Sequence, residues 1–427
     1  MQLRSIRGVA LSGVALIVLA ACGSSGGGTI VAGCTNLNAT AAAGAPISRF
    51  TNPLPNAAAN SDAPIAASGP VVKIGFQGML AGDLKNYGID ARNGIQMAID
   101  EAGGGFTYNG APYTLQVDAQ DDVDATAAGA QTAAQKLVDD KVVAVIGGVF
   151  STASIAGQKI YHDNGLAQIS PSATNPKYTD EQPKPGTSYR VIGRDDQQGP
   201  IGADLLVKTL GCKKIAVVDD KSTYGAGLAT AAADQIPKDG GTVVDTEHVT
   251  AGAGGDFKSQ LTSIKGKSPD AIYYGGYSRE AGPFAKQAKD LGMTIPIAGG
   301  DGWQNADFTS LAGASGNGAF ASNGGPAVSS LTAFNTKYKA KFNQDVFQYA
   351  PQSYDAANIL INALKKDGPN KAKIVADVAA TKDYKGVTGT ISFNSKGDLT
   401  DSVFTIWKFS SGDWKPFKAV TTHNPTS

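Results

Sequence analysis

Lys214-Ile215-Ala216-Val217-Val218-Asp219-Asp220-Lys221-Ser222-Thr223-Tyr224-Gly225-Ala226-Gly227 is a short β-branched run that breaks into a polar, glycine-bearing loop and then enters a helical stretch. That is how a parallel strand feeds a right-handed helical crossover. Val71-Val72-Lys73-Ile74-Gly75 opens a second series of the same kind. Between and after these two, strands are expected at Tyr113 to Ala119, Val142 to Ile146, Ala167 to Ile169, Thr242 to Val249, Ala271 to Tyr274 and Ile295 to Ala298. Helices fit at Gly88 to Ala102, Asp124 to Asp139 and Ser278 to Leu291, and Asn109-Gly110 suits a hairpin turn. The class is α/β, wound twice, which predicts two lobes. In such sheets ligands lie beyond the carboxyl ends of the strands, so the residues just after each strand carry the function.

The chain has 427 residues, enough for two or three domains with real cores. Its 37 basic and 37 acidic residues cancel, leaving no field to hold a nucleic acid and no excess to keep the chain unfolded. The 53 glycines imply many tight turns. The histidines, His162, His248 and His423, and the cysteines, Cys22, Cys34 and Cys212, form no metal-ligand spacing. His162 and His248 read as structural or surface residues, and His423 as part of a tail.

The amino terminus reads as an address. Arg4 and Arg7 precede the apolar run Val9 to Ala21, too short for a stable membrane anchor, and Leu19-Ala20-Ala21-Cys22-Gly23 resembles the bacterial lipobox. Residues 1–21 are then a lipoprotein-type signal, with Cys22 the lipidated first residue of the product. Cys34 also follows small residues but lacks a hydrophobic run before it. Removing the signal leaves 35 basic against 37 acidic residues. Residues 22–69 are Ala/Gly/Ser/Asn/Pro-rich and read as a flexible tether, whose 47 residues from Gly23 to Gly69 reach roughly 40 Å. A Cys34–Cys212 disulfide is open to such a chain in an oxidising compartment; free or intermolecular thiols are the alternative.

The first strand is followed by Gly75-Phe76-Gln77-Gly78, not GxGxxG, and neither a Walker loop nor a GxSxG elbow occurs. Asp121-Asp122 reads as a solvated or helix-capping pair and receives no catalytic role. The post-strand loops offer hydroxyls and tyrosines instead. Gly147-Gly148-Val149-Phe150-Ser151-Thr152 has Ser151 placed to cap the next helix, whose start suits a carboxylate. Ser170-Pro171-Ser172-Ala173-Thr174-Asn175-Pro176 adds hydroxyls and backbone amides.

Taken with Asp220 to Leu228, Tyr273-Tyr274-Gly275-Gly276-Tyr277 and Gly299-Gly300-Asp301-Gly302, these loops resemble, in order and approximate spacing from Val71 to Lys418, the leucine/isoleucine/valine-binding proteins of bacterial ABC importers. The resemblance implies the type I periplasmic binding protein fold, two Rossmann-like lobes joined by three hinge crossovers. The lobes would be residues 70–191 plus 324–390 and residues 192–323 plus 391–427. It places Ser151, Ser172 and Thr174, with Ala173 in the same loop, on a ligand α-carboxylate, and Asp301 with the Ser172 carbonyl on the α-ammonium. Tyr87, Tyr224, Tyr277 and Tyr349 would wall the cleft, with Phe150 beside the ligand side chain.

Two departures bear on the ligand. Relatives commonly carry glutamate where this chain has Asp301, and some carry a cysteine in place of Phe150, paired with one in the loop at Asp121 to Asp124. Relatives also bind aromatic amino acids, amides, urea or aromatic acids. The expected role is a periplasmic or cell-surface receptor that hands a branched-chain amino acid to a permease and its ATPase. It would be monomeric, not an enzyme, free of cofactor, and held to the membrane only by its lipid. The alternatives on the same fold are a receptor for an amide, urea or an aromatic compound, and a ligand-sensing domain for a signalling partner.

Overall fold

The computed structural model describes residues 33–37, 39, 68–123, 125–250 and 255–424. The leader, Cys22 and most of the stretch expected to be tether lie outside the described residues. Strands β1 (Val71–Gly78), β2 (Gly105–Tyr108), β3 (Ala111–Asp121), β4 (Ala144–Gly147), β5 (Gln168–Ser170) and β6 (Ser188–Arg190) form one sheet in the order β2-β3-β1-β4-β5-β6. Strands β7 (Lys214–Asp219), β8 (Thr242–His248), β9 (Ala271–Gly275), β10 (Ile297–Gly299) and β11 (Phe320–Gly324) belong to a second. A small ribbon pairs β12 (Tyr384–Gly386) with β13 (Gly389–Ile391), and β14 (Asp401–Ser410) and β15 (Asp413–His423) then complete the second sheet as β15-β14-β11-β10-β9-β7-β8. Pairing is parallel except at the β2–β3 hairpin, the ribbon, and the β11–β14–β15 edge.

The first half of the chain supplies helices α1 (Lys85–Glu101), α2 (Ala127–Asp139), α3 (Ser151–Asp163), α4 (Lys177–Asp180), α5 (Asp195–Asp204) and α6 (Thr223–Gln235). The second half supplies α7 (Lys258–Gly266), α8 (Ser278–Asp290), α9 (Ala306–Ala312), α10 (Thr332–Phe342), α11 (Ala350–Asp367) and α12 (Lys371–Ala379). Local sequence accounts for them. Helix α8 buries Ala281, Phe284, Ala285 and Ala288, an i, i+3, i+4, i+7 stripe, in the second lobe's core. Helix α6 starts where the Ser222 hydroxyl accepts the Gly225 amide at 2.9 Å. Asn109 and Gly110 both have positive φ, the geometry of a two-residue hairpin turn.

The chain leaves the first sheet after β6, returns after β11 through α10, α11 and α12, and crosses again between β13 and β14. The first and third passes are tied by a buried ionic knot: Arg190 Nε donates to Asp398 at 2.7 Å and Arg194 Nη1 to the same carboxylate at 2.8 Å. Both oxygens of Asp398 are thereby paired, the condition for carrying charge in the interior.

Three local expectations are corrected and one open pairing is decided, four points in all. His423 ends strand β15 and is not in a tail. Ser151 is the first helical residue of α3, with extended Phe150 in the capping position. Cys34 and Cys212 are joined in a disulfide, so one point of the expected tether is bonded to the second lobe.

The fourth concerns Asp122, which is fully buried with neither carboxylate oxygen hydrogen-bonded within the described structure. Burial first, and the neighbouring Asp121 second, push its pKa up to about 7. A raised carboxylate favours the folded state only while neutral, so stability falls as pH rises from about 4 through 7, by up to ~4 kcal/mol for this group alone. Asp122→Asn is expected to stabilise the protein at pH 8, have little effect at pH 4, and flatten the urea midpoint between them; an unchanged pH dependence would show that water or relaxation solvates Asp122.

Candidate functional site

In each sheet the winding direction reverses at the first strand of its series, β1 or β7, and the loops after β4, β5, β7, β9 and β10 converge there. Strand β4 can end so close to β1 because residue 147 is glycine: its φ is +127°, and a Cβ would lie 2.2 Å from the Gln77 carbonyl oxygen. The loops after β4 and β5 then brace each other. Ser170 Oγ accepts the amides of Ala173 at 2.9 Å and Ser172 at 3.3 Å and donates to the Gly148 carbonyl at 2.8 Å. Ser172 Oγ donates to the Val149 carbonyl, and Ser151 Oγ accepts the Asn175 amide at 3.3 Å. From below, fully buried Arg190 donates to the carbonyls of Ala173 and Asn175 and to Thr179 Oγ1. The Ala173 amide is therefore engaged within its own loop, whereas the buried Thr174 hydroxyl makes no hydrogen bond of good geometry.

Across the cleft, Asp301 opens a single helical turn after β10 and is buried. Its carboxylate accepts from Tyr224 Oη at 2.9 Å and from Tyr349 Oη at 2.6 Å, and its backbone carbonyl accepts from Gln348 Nε2. Burial raises its pKa, and the two phenol donors work against that rise. Tyr224 comes from α6 of the second lobe, but Tyr349 and Gln348 precede α11, which packs on α1 of the first. Buried Asp90 of α1 holds them there: its oxygens accept the amides of Phe347, Gln348 and Ala350 at 2.8–2.9 Å. One turn earlier on α1, Tyr87 reaches the second lobe, where Asn305 donates to its oxygen at 2.7 Å and Ser278 Oγ lies 3.0 Å away; the phenol donates to the Gly302 carbonyl.

The five aromatic residues meet. Ring centroids are 5.5 Å apart for Tyr87 and Phe150, 5.1 Å for Phe150 and Tyr277, 5.1 Å for Tyr224 and Tyr277, and 6.0 Å for Tyr87 and Tyr349. At the rim, Thr152 Oγ1 donates to Thr223 Oγ1 at 3.0 Å, Asn175 to the Thr223 carbonyl at 2.7 Å, and Asn86 to Asp307 at 3.0 Å. These contacts hold the lobes closed.

The sequence reading missed Asp195. It begins α5 straight after the first crossover, is fully buried, and neither oxygen makes a hydrogen bond of good geometry. Burial first and the charge of Asp301 second push its carboxyl well above the usual range. Its amide donates to the Thr174 carbonyl at 2.9 Å, which sets it between the hydroxyl loops and Asp301. In Arg194-Asp195-Asp196 an aspartate at a helix start looks like an ordinary first-turn acid, so nothing local marks it. Two buried carboxylates in mutual range, tyrosine faces and the Thr174 hydroxyl beside Asp195 provide a place for an organic cation with a polar neighbour. Among the described residues no group of three His, Cys, Asp or Glu could hold a metal ion, and no helix is long and apolar enough to cross a membrane.

Two doubly wound lobes, joined by three passes and shut over buried ionic and aromatic groups, define a hinged ligand-binding protein. The chain belongs to the periplasmic binding protein family, whose model matches residues 71–411. It is 32% identical to the Leu/Ile/Val-binding protein BraC3 of Rhizobium johnstonii over 80% of this chain and 92% of that one. It is 30% identical to the leucine-, isoleucine-, valine-, threonine-, and alanine-binding protein of Pseudomonas aeruginosa, over 79% and 90%. Among solved structures it is similar to the branched-chain amino acid transporter substrate-binding protein LivJ of Streptococcus pneumoniae in complex with isoleucine. That match has a TM-score of 0.73 and 31% identity and covers 83% of this chain and all of that one. The family consists of substrate-binding receptors that act outside the cytoplasm.

Proposed function

We propose that this chain is the extracytoplasmic solute-binding component of an ABC importer, closing its two lobes on a branched-chain amino acid and presenting it to a permease and its ATPase. The observation that supports it most is Asp301, a buried carboxylate gripped by Tyr224 from one lobe and Tyr349 from the other. In this reading Asp301 and Asp195 take the ligand ammonium, the Thr174 hydroxyl and the start of α3 at Ser151 take its carboxylate, and Phe150 with the tyrosines encloses its side chain. Ser172 and Ala173 act by shaping the loop. The lobes are residues 70–191 plus 324–390 and 192–323 plus 391–427, moving about the three passes. Closure removes the zwitterion from water and builds the surface that the permease reads, and no bond of the ligand changes. The protein works as a monomer without cofactor or catalysis, anchored through lipid on Cys22.

Calorimetry on the chain from Gly23 onward, which keeps Cys34, tests the reading once endogenous ligand is removed. Leucine, isoleucine and valine are expected to bind at micromolar Kd or tighter and within about tenfold of one another, since one methylene contributes about 0.8 kcal/mol. Silence with all three and heat with benzoate, acetamide or urea would overturn it. Because Phe150 packs against Tyr87 and Tyr277, Phe150→Ala is expected to favour phenylalanine over valine by roughly tenfold more than the parent does. An unchanged ratio in competition binding would put the Phe150 ring outside the side-chain pocket.

A further inference from the structure

We propose that the Cys34–Cys212 disulfide moves the point of membrane attachment from the start of the first lobe to the outer pole of the second, so that the second lobe is staked to the membrane and the first swings. The proposal rests on Cys22 being the lipid-bearing residue. Cys212 stands just before β7, at the amino-terminal end of the parallel strands and thus at the pole opposite the ligand loops. The bond is not the only contact. The Asn36 amide donates to the Leu210 carbonyl at 3.0 Å, and its side chain donates to the Thr209 carbonyl at 3.1 Å. Gly33 lies so close to Asp270 that a Cβ there would fall 2.3 Å from its carboxylate, while that carboxylate accepts the amides of Lys213 and Lys214 at 2.9 and 2.8 Å. Leu37 borders a cavity of about 190 Å³ that also touches Met293, Ile295 and Phe320 of the same lobe. Residues 33–37 therefore lie along the surface of the pole, tied to it at Cys34 and Asn36.

Chain length gives the consequence. Cys22 to Cys34 is 12 residues, a contour of at most about 43 Å; Cys22 to Val71 is 49, about 175 Å. The disulfide shortens the leash about fourfold. The six residues of β7 rise about 20 Å from the pole to the cleft, so the short leash still lets the cleft rim turn toward the bilayer but holds the second lobe near it. A permease then meets one fixed lobe and one moving lobe.

The test is energy transfer from a donor, on a genetically encoded amino acid at Lys238 of the second lobe or at Asn109 of the first, to headgroup acceptors in proteoliposomes holding the full lipoprotein. Transfer at Lys238 is expected to exceed that at Asn109, and to fall by half or more when Cys34 and Cys212 are both changed to serine. Inserting 20 residues after Gly26 is expected to do the same with the disulfide intact, which covers the case where the double variant folds poorly. Equal transfer from both sites, transfer insensitive to the insertion, or alkylation of both thiols without reductant would overturn the staking. Mass analysis of the amino-terminal peptide checks the anchor separately: an unmodified Cys22 would overturn that reading and leave the disulfide standing.

Discussion

Asp301→Ala is expected to weaken leucine binding by at least about 2 kcal/mol, roughly thirtyfold, because in the proposed site it leaves the ligand ammonium short of a counter-charge in a cleft closed to water. The variant also strands two donors. Tyr224 and Tyr349 each give their hydroxyl hydrogen to this carboxylate, and both rings are buried, so neither phenol has solvent to turn to. Part of the loss would then appear as harder closure, since the two donors come from opposite lobes. The Gln348 bond goes to the backbone carbonyl of residue 301 and survives the substitution, so the turn after β10 should keep its place. Asp301→Asn separates the contributions: it keeps an acceptor for one phenol and the side-chain shape while removing the charge. Near parental affinity in Asp301→Asn with a large loss in Asp301→Ala would assign Asp301 to lobe closure, and parental affinity in both would remove it from the site.

Much of this arrangement is legible in the residues because parallel α/β units advertise themselves locally. Val71 to Gly75 and Lys214 to Val218 are short apolar runs ended by glycine-bearing loops, and the rule that function follows the strand ends points to the loops of Ser151 and Ser172, whereas Tyr277 and Asp301 enter only through the family resemblance. What was not legible depends on long-range packing. Asp195 looks like any first-turn acid until the Thr174 loop and Asp301 close over it. Asp90 looks like a surface residue of an amphipathic helix until the amides of Phe347, Gln348 and Ala350 arrive from more than 250 positions away. Asp121-Asp122 reads as one solvated pair, yet one of the two is turned inward and fully buried. Strand β14 and the edge strand β15 alternate buried and exposed residues only in part, pair antiparallel, and lack the strand-to-helix signature that exposed the others.

Breaking the disulfide, by Cys34→Ser with Cys212→Ser or by reduction, is expected to cost the folded protein about 2 to 5 kcal/mol, read as a lower urea midpoint for the chain from Gly23 onward. The bond closes a loop with a sequence separation of 178, and the chain-entropy relation for a loop of that length gives about 5 kcal/mol at 25 °C. That figure is an upper value, because ordering residues 33–37 on the second lobe already costs conformational entropy that the open form recovers. The effect should also be uneven. The loop runs from Cys34 through the whole of the β1-to-β6 sheet and the first crossover before reaching Cys212, so the bond restricts the unfolded first lobe although its contacts lie on the second. Amide exchange should therefore show the first lobe losing protection with the second when the bond is cut, despite lying far from it. A loss confined to residues near Cys212, with an unchanged midpoint, would mean that the loop's unfolded ensemble is already compact and that the disulfide only fastens the amino-terminal segment.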